Sequence, residues 1–242
     1  MWVIGIDEAG RGPVIGPLVV GGLCVPESDL QLLHNAGVKD SKLLSKKKRE
    51  EIEVWIRKQA NERDWSIELR ISKPAEIDCA MAMTNLNDHE VNLFASVARK
   101  LRGEGGGTLQ LDACDSDARR FGNNVASRLS HWPWTDWDMV SQHGADRDYL
   151  AVAGASILAK VSRDKIVQEI SNELGIDIGS GYPSDPKTIA AIPTLLSGEQ
   201  PHDCLRWGWA TVKDAWKTTH DTPVPKRPMD SEVPSNAQRT LF

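Results

Sequence analysis

The chain opens on a short apolar run, Val3-Ile4-Gly5-Ile6, that ends in two adjacent carboxylates, Asp7 and Glu8, with Ala9-Gly10-Arg11-Gly12-Pro13 following at once. A run of this composition closed by a glycine turn reads as a strand. Adjacent side chains of a regular strand point to opposite faces, so Asp7 and Glu8 share one site only where the chain bends. Gly10 and Gly12 permit that bend. Gly-Arg-Gly also exposes backbone N–H groups beside a fixed guanidinium, a cradle for a phosphate or a sugar hydroxyl. Carboxylates attract metal, and the loop attracts the anion that metal would act on. The segment therefore points to metal-assisted chemistry on a phosphate ester, although a solvated loop start and a plain glycine turn explain it equally well when it is taken alone.

Two further acids stand at comparable places. Thr108 to Leu111 reads as a strand delivering Asp112 at its end, and Asp138 to Gln142 as a short strand leading to Asp146. Strand ends of one sheet converge in space, so residues far apart in sequence can build one site. With Glu8 the set is four carboxylates, which repel one another unless cations neutralise them. Oxygen ligands in that number suit Mg²⁺ or Mn²⁺ rather than zinc. Two such ions about 4 Å apart can activate a water on one side and stabilise a leaving oxygen on the other. Asp115, Asp117 and Asp148 read as solvated or capping residues.

The remaining pattern is mixed α/β. Residues 2–8 and 17–25 read as strands, and Trp65 to Ser72 as an edge strand. Helices are expected after an N-capping Ser45, from Lys73-Pro74 onward, from Asn87 as cap through Arg102, over Tyr149 to Leu174, Thr188 to Leu196 and Gly208 to Thr218. Gly103 to Gly107 reads as a flexible turn before a strand. From about His220 the chain is Pro-rich and poor in large apolar residues, which reads as a disordered tail.

Composition narrows the class. A chain of 242 residues with 40% hydrophobic and 26% charged content suits one well-packed domain with a modest appendage. No apolar run approaches the roughly 20 residues that span a bilayer, and no secretory leader is evident, so a cytoplasmic location is expected. The 4 cysteines are scattered without a C-x-x-C pair, which argues against a zinc knuckle or a disulfide framework. A net charge of −5 is awkward for a nucleic-acid enzyme. Basic residues do gather at Lys39–Arg49, Arg99–Arg102 and Lys160–Lys165, so a basic groove on an acidic body is expected.

Gly5-Ile6-Asp7-Glu8-Ala9-Gly10-Arg11-Gly12-Pro13 resembles the N-terminal signature of type 2 ribonucleases H, the ribonuclease HII group. In the same order follow Lys39-Asp40-Ser41-Lys42, Asn85-Leu86-Asn87, Leu111-Asp112-Ala113-Cys114-Asp115 (in its archaeal form), Ala145-Asp146, Ala155-Ser156-Ile157-Leu158-Ala159-Lys160 and Gly179-Ser180-Gly181-Tyr182-Pro183. The resemblance covers residues 3 to about 216. It implies a ribonuclease H-like mixed sheet flanked by helices over residues 1–175. A small helical C-terminal part over 176–219 would complete the substrate groove, and a tail would follow over 220–242.

The resemblance further implies that Asp7, Glu8, Asp112 and Asp146 are the catalytic, metal-binding acids for two Mg²⁺ or Mn²⁺ ions. The backbone of Gly10, Arg11 and Gly12 would read the 2′-hydroxyl, the group that separates RNA from DNA. Tyr182 would stack on the neighbouring deoxyribose, and Lys42 and Lys160 would face substrate phosphates. Asn85 and Asn87 have weaker claims, since capping explains them too. The implied activity is cleavage of the RNA strand of RNA–DNA hybrids and incision 5′ of ribonucleotides embedded in DNA, by a monomer without membrane attachment. One departure is Gly144, where family members commonly carry Lys before Ala-Asp. The terminal Gln238-Arg239-Thr240-Leu241-Phe242 resembles a shortened sliding-clamp-binding motif.

Three rivals remain: the type 3 group, which usually carries an extra N-terminal domain; another ribonuclease H-like nuclease such as a resolvase; and a non-catalytic hybrid-binding protein.

Overall fold

The computed structural model describes residues 1–101 and 105–228. Its centre is a five-stranded sheet in the order β3-β2-β1-β4-β5. The strands are β1 (Trp2–Ala9), β2 (Leu18–Pro26), β3 (Ser66–Ser72), β4 (Gly107–Asp112) and β5 (Trp137–Gln142). β1, β2 and β3 run antiparallel in succession, while β4 joins β1 in parallel and β5 joins β4 in parallel. The alternating residues of β1 separate the two faces. Ile4 and Ile6 join one apolar cluster with Phe94, Leu109 and Phe121, and Val3 joins another with Ile52, Ile56 and Leu158.

The helices are α1 (Leu30–Asn35), α2 (Lys46–Glu62), α3 (Pro74–Met83), α4 (Leu86–Leu101), α5 (Ala118–Ser127), α6 (Leu150–Leu174), α7 (Pro186–Leu195) and α8 (Ala210–His220). Ser45 caps α2 as its sequence suggests, its hydroxyl accepting from the Lys48 amide at 3.2 Å. α6 ends at Gly175, which takes the left-handed φ of 65° that suits glycine. A third apolar cluster, including Val14, Ile15, Ile178, Leu195, Leu205 and Trp216, welds the C-terminal helices to the turn after β1.

One local expectation is revised, and two helices are added to those expected. α4 is capped by Asn85, which accepts from the Asp88 amide at 2.9 Å, whereas the Asn87 side chain serves Arg11. α5 was not evident from sequence because Gly122, Asn123 and Asn124 are weak helix formers. Asp117 caps it and Phe121 and Val125 bury its inner face, so tertiary packing makes the helix. α1 is equally unannounced, being six residues long with Leu33 alone fully buried. Arg102, Gly103 and Glu104 lie outside the described residues, as does the 238–242 motif; Gly105 and Gly106 lead into β4, which opens at Gly107. Of the tail, residues 221–228 carry no helix or strand. Arg227 is held there by Asp78, Asp203 and the Leu205 carbonyl, with its guanidinium 4.2 Å over Trp207.

Candidate active site

The parallel register pairs Ile6 with Leu111, so the next residue on each strand sets Asp7 beside Asp112 at the carboxyl end of the sheet. β5 ends opposite Asp112 at Gln142, and Gly144, with a φ of 67°, turns the chain into the short 3-10 turn Ala145–Arg147 that carries Asp146. The turn is fastened to Asp112, whose Oδ1 accepts from the amides of Gly144 at 2.7 Å and Ala145 at 3.2 Å. Asp7, Asp112 and Asp146 thereby offer carboxylate oxygens that all lie within 4.8 Å of one another.

β1 stays regular through both of its acids. Asp7 pairs with Gly21 and Glu8 with Val20, so the expected bend does not occur within the strand. Asp7 faces α6, where the Ser156 hydroxyl donates to it. Ser156 in turn accepts from buried Ser41 at 3.0 Å, a link that ties the Asp40-Ser41-Lys42 turn to the site. Glu8 points to the opposite face and groups with Glu90 and Cys114. The structure thus gathers Asp7, Asp112 and Asp146 in one close group and sets Glu8 in a second with Glu90 and Cys114.

The charges remain coupled across that divide. Burial, then the Glu8 and Asp112 charges, hold Asp7 well above the ordinary carboxylate range. Burial and Asp112 also raise Glu8, against Arg11 and Lys42, which pull it down. Asp146 is raised by burial, Asp112 and Asp40. Asp146 Oδ1 is buried and has no hydrogen-bond partner among the described residues. A buried polar atom without a partner is costly, and an oxygen in that state beside two other carboxylates is what a hard cation would satisfy. The three-aspartate group therefore fits Mg²⁺ or Mn²⁺. The Glu8–Glu90–Cys114 group fits a metal poorly: burial raises the Cys114 thiol, and Arg11 already answers Glu90.

Glu90 is the site residue that sequence reading missed. It is fully buried on α4, and Arg11 Nε donates to its two oxygens at 2.9 and 3.0 Å. Burial pushes its carboxyl up to about 8, with the Arg11 charge opposing. A signal existed, since Glu90, Phe94, Val97 and Leu101 share helical spacing and an acid among them is out of place on an apolar stripe. The same pairing fixes the Arg11 side chain, whose Nε and Nη2 are engaged by Glu90 and Asn87, beside the backbone to which the sugar contact was assigned.

The turn after β1 is walled by aromatic rings. A Cβ on exposed Gly12 would lie 3.6 Å from the Tyr182 ring, and Trp209 Nε1 donates to the Gly12 carbonyl at 3.4 Å. Lys42 is exposed at the rim, and its charge lowers both Glu8 and Asp146. Lys160 lies further along α6, 3.5 Å from Asp164. Asp115 is bound by Arg120, Asp117 caps α5, and Asp148 accepts from Gln142. His143 meets the Asp115 carbonyl at 2.7 Å, away from the carboxylates. Trp134, near the end of the loop between α5 and β5, and Trp137, which opens β5, are buried and pack edge to face at 5.5 Å, so they belong to the core.

Residues 4–212 match the family model described as Ribonuclease HII. The chain is 44% identical over 211 residues to a ribonuclease HII of Methanocella arvoryzae, covering 86% of this chain and 89% of that one. The ribonuclease H2 of Pyrococcus horikoshii superposes with a TM-score of 0.79 at 31% identity, covering 92% of this chain and all of that one (100%). An Archaeoglobus fulgidus structure titled as a PCNA:RNase HII complex superposes with a TM-score of 0.74 at 34% identity, covering 86% of this chain and 95% of that one. A sheet that delivers three aspartates to one point, in a chain this similar along nearly its whole length, belongs to the ribonuclease HII family in its archaeal form.

Proposed function

We propose that the protein is an endonuclease that hydrolyses the RNA strand of RNA–DNA hybrids. It also incises 5′ of single ribonucleotides embedded in duplex DNA, leaving a 3′-hydroxyl and a 5′-phosphate. The observation that carries the reading is the convergence of Asp7, Asp112 and Asp146 within 4.8 Å around an unpartnered buried oxygen. Two divalent ions bound there, Mg²⁺ or Mn²⁺, would supply an activated water and charge stabilisation for the leaving oxygen.

The chain's own residues do the rest. Asp7, Asp112 and Asp146 would hold the metals, and Glu8, coupled to Asp112, would add its charge. Ser156 and Gly144 keep Asp7 and Asp112 in place. The Gly10–Gly12 backbone reads the 2′-hydroxyl. The Tyr182 ring beside Gly12 takes the adjoining deoxyribose, which makes an RNA–DNA junction the preferred cut. Lys42 and Lys160 meet phosphates along a basic path. The tail 229–242 docks on a sliding clamp, a proposal favoured by the A. fulgidus relative's structure with PCNA. The enzyme works as a monomer in the cytoplasm, in DNA replication and ribonucleotide excision repair.

The deciding experiment takes a duplex with one ribonucleotide, Mg²⁺, and either the native chain or Asp112→Asn. Incision 5′ of the ribonucleotide by the native chain, reduced at least about a thousandfold in the variant, is the expected result. Cleavage of long hybrids alone would retain the acids and remove the junction roles of Gly12 and Tyr182. Tight hybrid binding without cleavage in either metal would overturn the reading in favour of a binding protein.

A further inference from the structure

Arg206 is fully buried, and no described carboxylate lies within ion-pair distance of it. A guanidinium removed from water without an anion is expensive to keep. Burial, then the neighbouring Arg163 charge, push it down to about 9. What occupies it is the turn after β1. Nε donates to the Gly16 carbonyl at 3.0 Å, Nη1 to the Arg11 carbonyl at 2.8 Å and Nη2 to the Gly10 carbonyl at 2.5 Å. The backbone beneath it is stapled to the same turn. The Arg206 amide donates to the Val14 carbonyl at 2.9 Å, the Gly16 amide to the Cys204 carbonyl at 2.9 Å, and Ile15 and Leu205 form an antiparallel bridge.

Peptide geometry converts these three bonds into a statement about the opposite side of the turn. In a trans peptide the C=O of one residue and the N–H of the next point in opposite directions. The peptides after Gly10 and Arg11 are trans, the sole cis bond among the described residues being Trp132-Pro133. With the Gly10 and Arg11 carbonyls drawn inward to Arg206, the Arg11 and Gly12 amides point outward. No described group accepts a hydrogen bond from either amide. They open toward exposed Gly12 and the Tyr182 ring, and a Cβ at Gly12 would meet that ring at an ordinary 3.6 Å. Packing within the protein therefore does not demand glycine at position 12. Position 10 is different: its φ of 93° and a Cβ that would fall 2.5 Å from Arg163 Cδ both require glycine.

We infer that Arg206 is a positioning residue for ribonucleotide recognition: it holds two carbonyls of the Gly10–Gly12 turn inward and thereby aims the Arg11 and Gly12 amides at the sugar. The inference rests on the proposed reading that this turn binds the 2′-hydroxyl. Arg206 touches no substrate itself. Its reach to the turn spans 195 residues of sequence, which makes the C-terminal helical part a component of sugar recognition rather than only a wall of the groove.

The test uses the full chain, Mg²⁺ and a duplex with one ribonucleotide, comparing wild type, Arg206→Lys, Gly12→Ala and the double variant well below each protein's unfolding temperature. Arg206→Lys is expected to raise KM about tenfold, the worth of one hydrogen bond to substrate, with kcat within about twofold. Gly12→Ala is expected to raise KM too, and the double variant to add little to Gly12→Ala alone, since both act on one contact. A fall in kcat at unchanged KM would mark a loss of active fraction and overturn the inference. So would an unchanged KM in folded Arg206→Lys where Gly12→Ala raises it, and then the reading of the turn would survive. An unchanged KM in Gly12→Ala would overturn that reading, and the inference with it. Should Arg206→Lys not fold, Arg227→Ala loosens the same segment from the surface, because Arg227 stacks on Trp207 and binds the Leu205 carbonyl. A raised KM there supports the inference, and an unchanged one overturns it.

Discussion

Asp112 is the charge that the other three acids feel in common, raising Asp7, Glu8 and Asp146 alike. These three titrate above their ordinary values of 3.8 and 4.5, so the folded, metal-free chain keeps protons that the unfolded chain releases. The stability they contribute is complete below the ordinary values and is lost as pH rises through the raised ones. Asp112→Asn removes the shared repulsion and retains an oxygen for the Gly144 and Ala145 amides. Metal-free Asp112→Asn is therefore expected to be more stable than wild type by about 1 kcal/mol at pH 7, some 2–4 °C in a chain of this size. The gap is expected to widen as pH rises from about 4 and, on the proposed metal role of the cluster, to close on adding Mg²⁺. Equal unfolding temperatures across that range would show that the carboxylates do not strain one another. The residues least visible from sequence act at this scale too. Glu90 matters because Arg11, 79 positions away, turns onto it, and Ser156 because Asp7 lies across from it.

At the scale of elements, the site depends on how closely α6 lies on β1. A Cβ at Gly5 would fall 2.2 Å from the backbone of Ala151 and Val152, so only glycine lets the helix descend that far. The same descent brings Ser156 to Asp7 and sets Val3 against the α6 side of the core. Gly5→Ala must push the helix away, and a cost of about 3 kcal/mol or more is expected from overpacking against backbone. Thermal unfolding of the variant measures it, and a loss below about 1 kcal/mol would mean that α6 can shift cheaply. β1 itself was readable from its apolar run and its turn. The bend expected to bring its two acids to one site is absent, because β1 keeps regular pairing with β2 through both of them.

Across the whole molecule, the C-terminal part is joined to α3 and to the turn after β1 by polar bonds as well as by its own apolar cluster. Asp78 on α3 accepts from the amides of Trp207 and Gly208 at 2.9 Å each and from Arg227 at 3.1 Å, which anchors the chain where the described tail ends. A chain ended after residue 228 keeps that anchor. It is expected to retain the native unfolding temperature and ribonucleotide incision while losing binding to a sliding clamp. Clamp binding by the shortened chain equal to that of the intact one would place the docking surface elsewhere. What the residues determine unaided is local: where strands begin and end, which positions face a core, and that acids at 7, 112 and 146 sit at strand ends. Those features follow from side-chain alternation and turn chemistry within a few residues. Only the tertiary structure decides that Glu8 stands apart from the three aspartates, that Arg11 turns inward, and that Arg206 governs the turn. Each of these depends on which faces are pressed together once α4, α6 and the C-terminal segment pack, and burial then converts distant charges and carbonyls into neighbours that must satisfy one another.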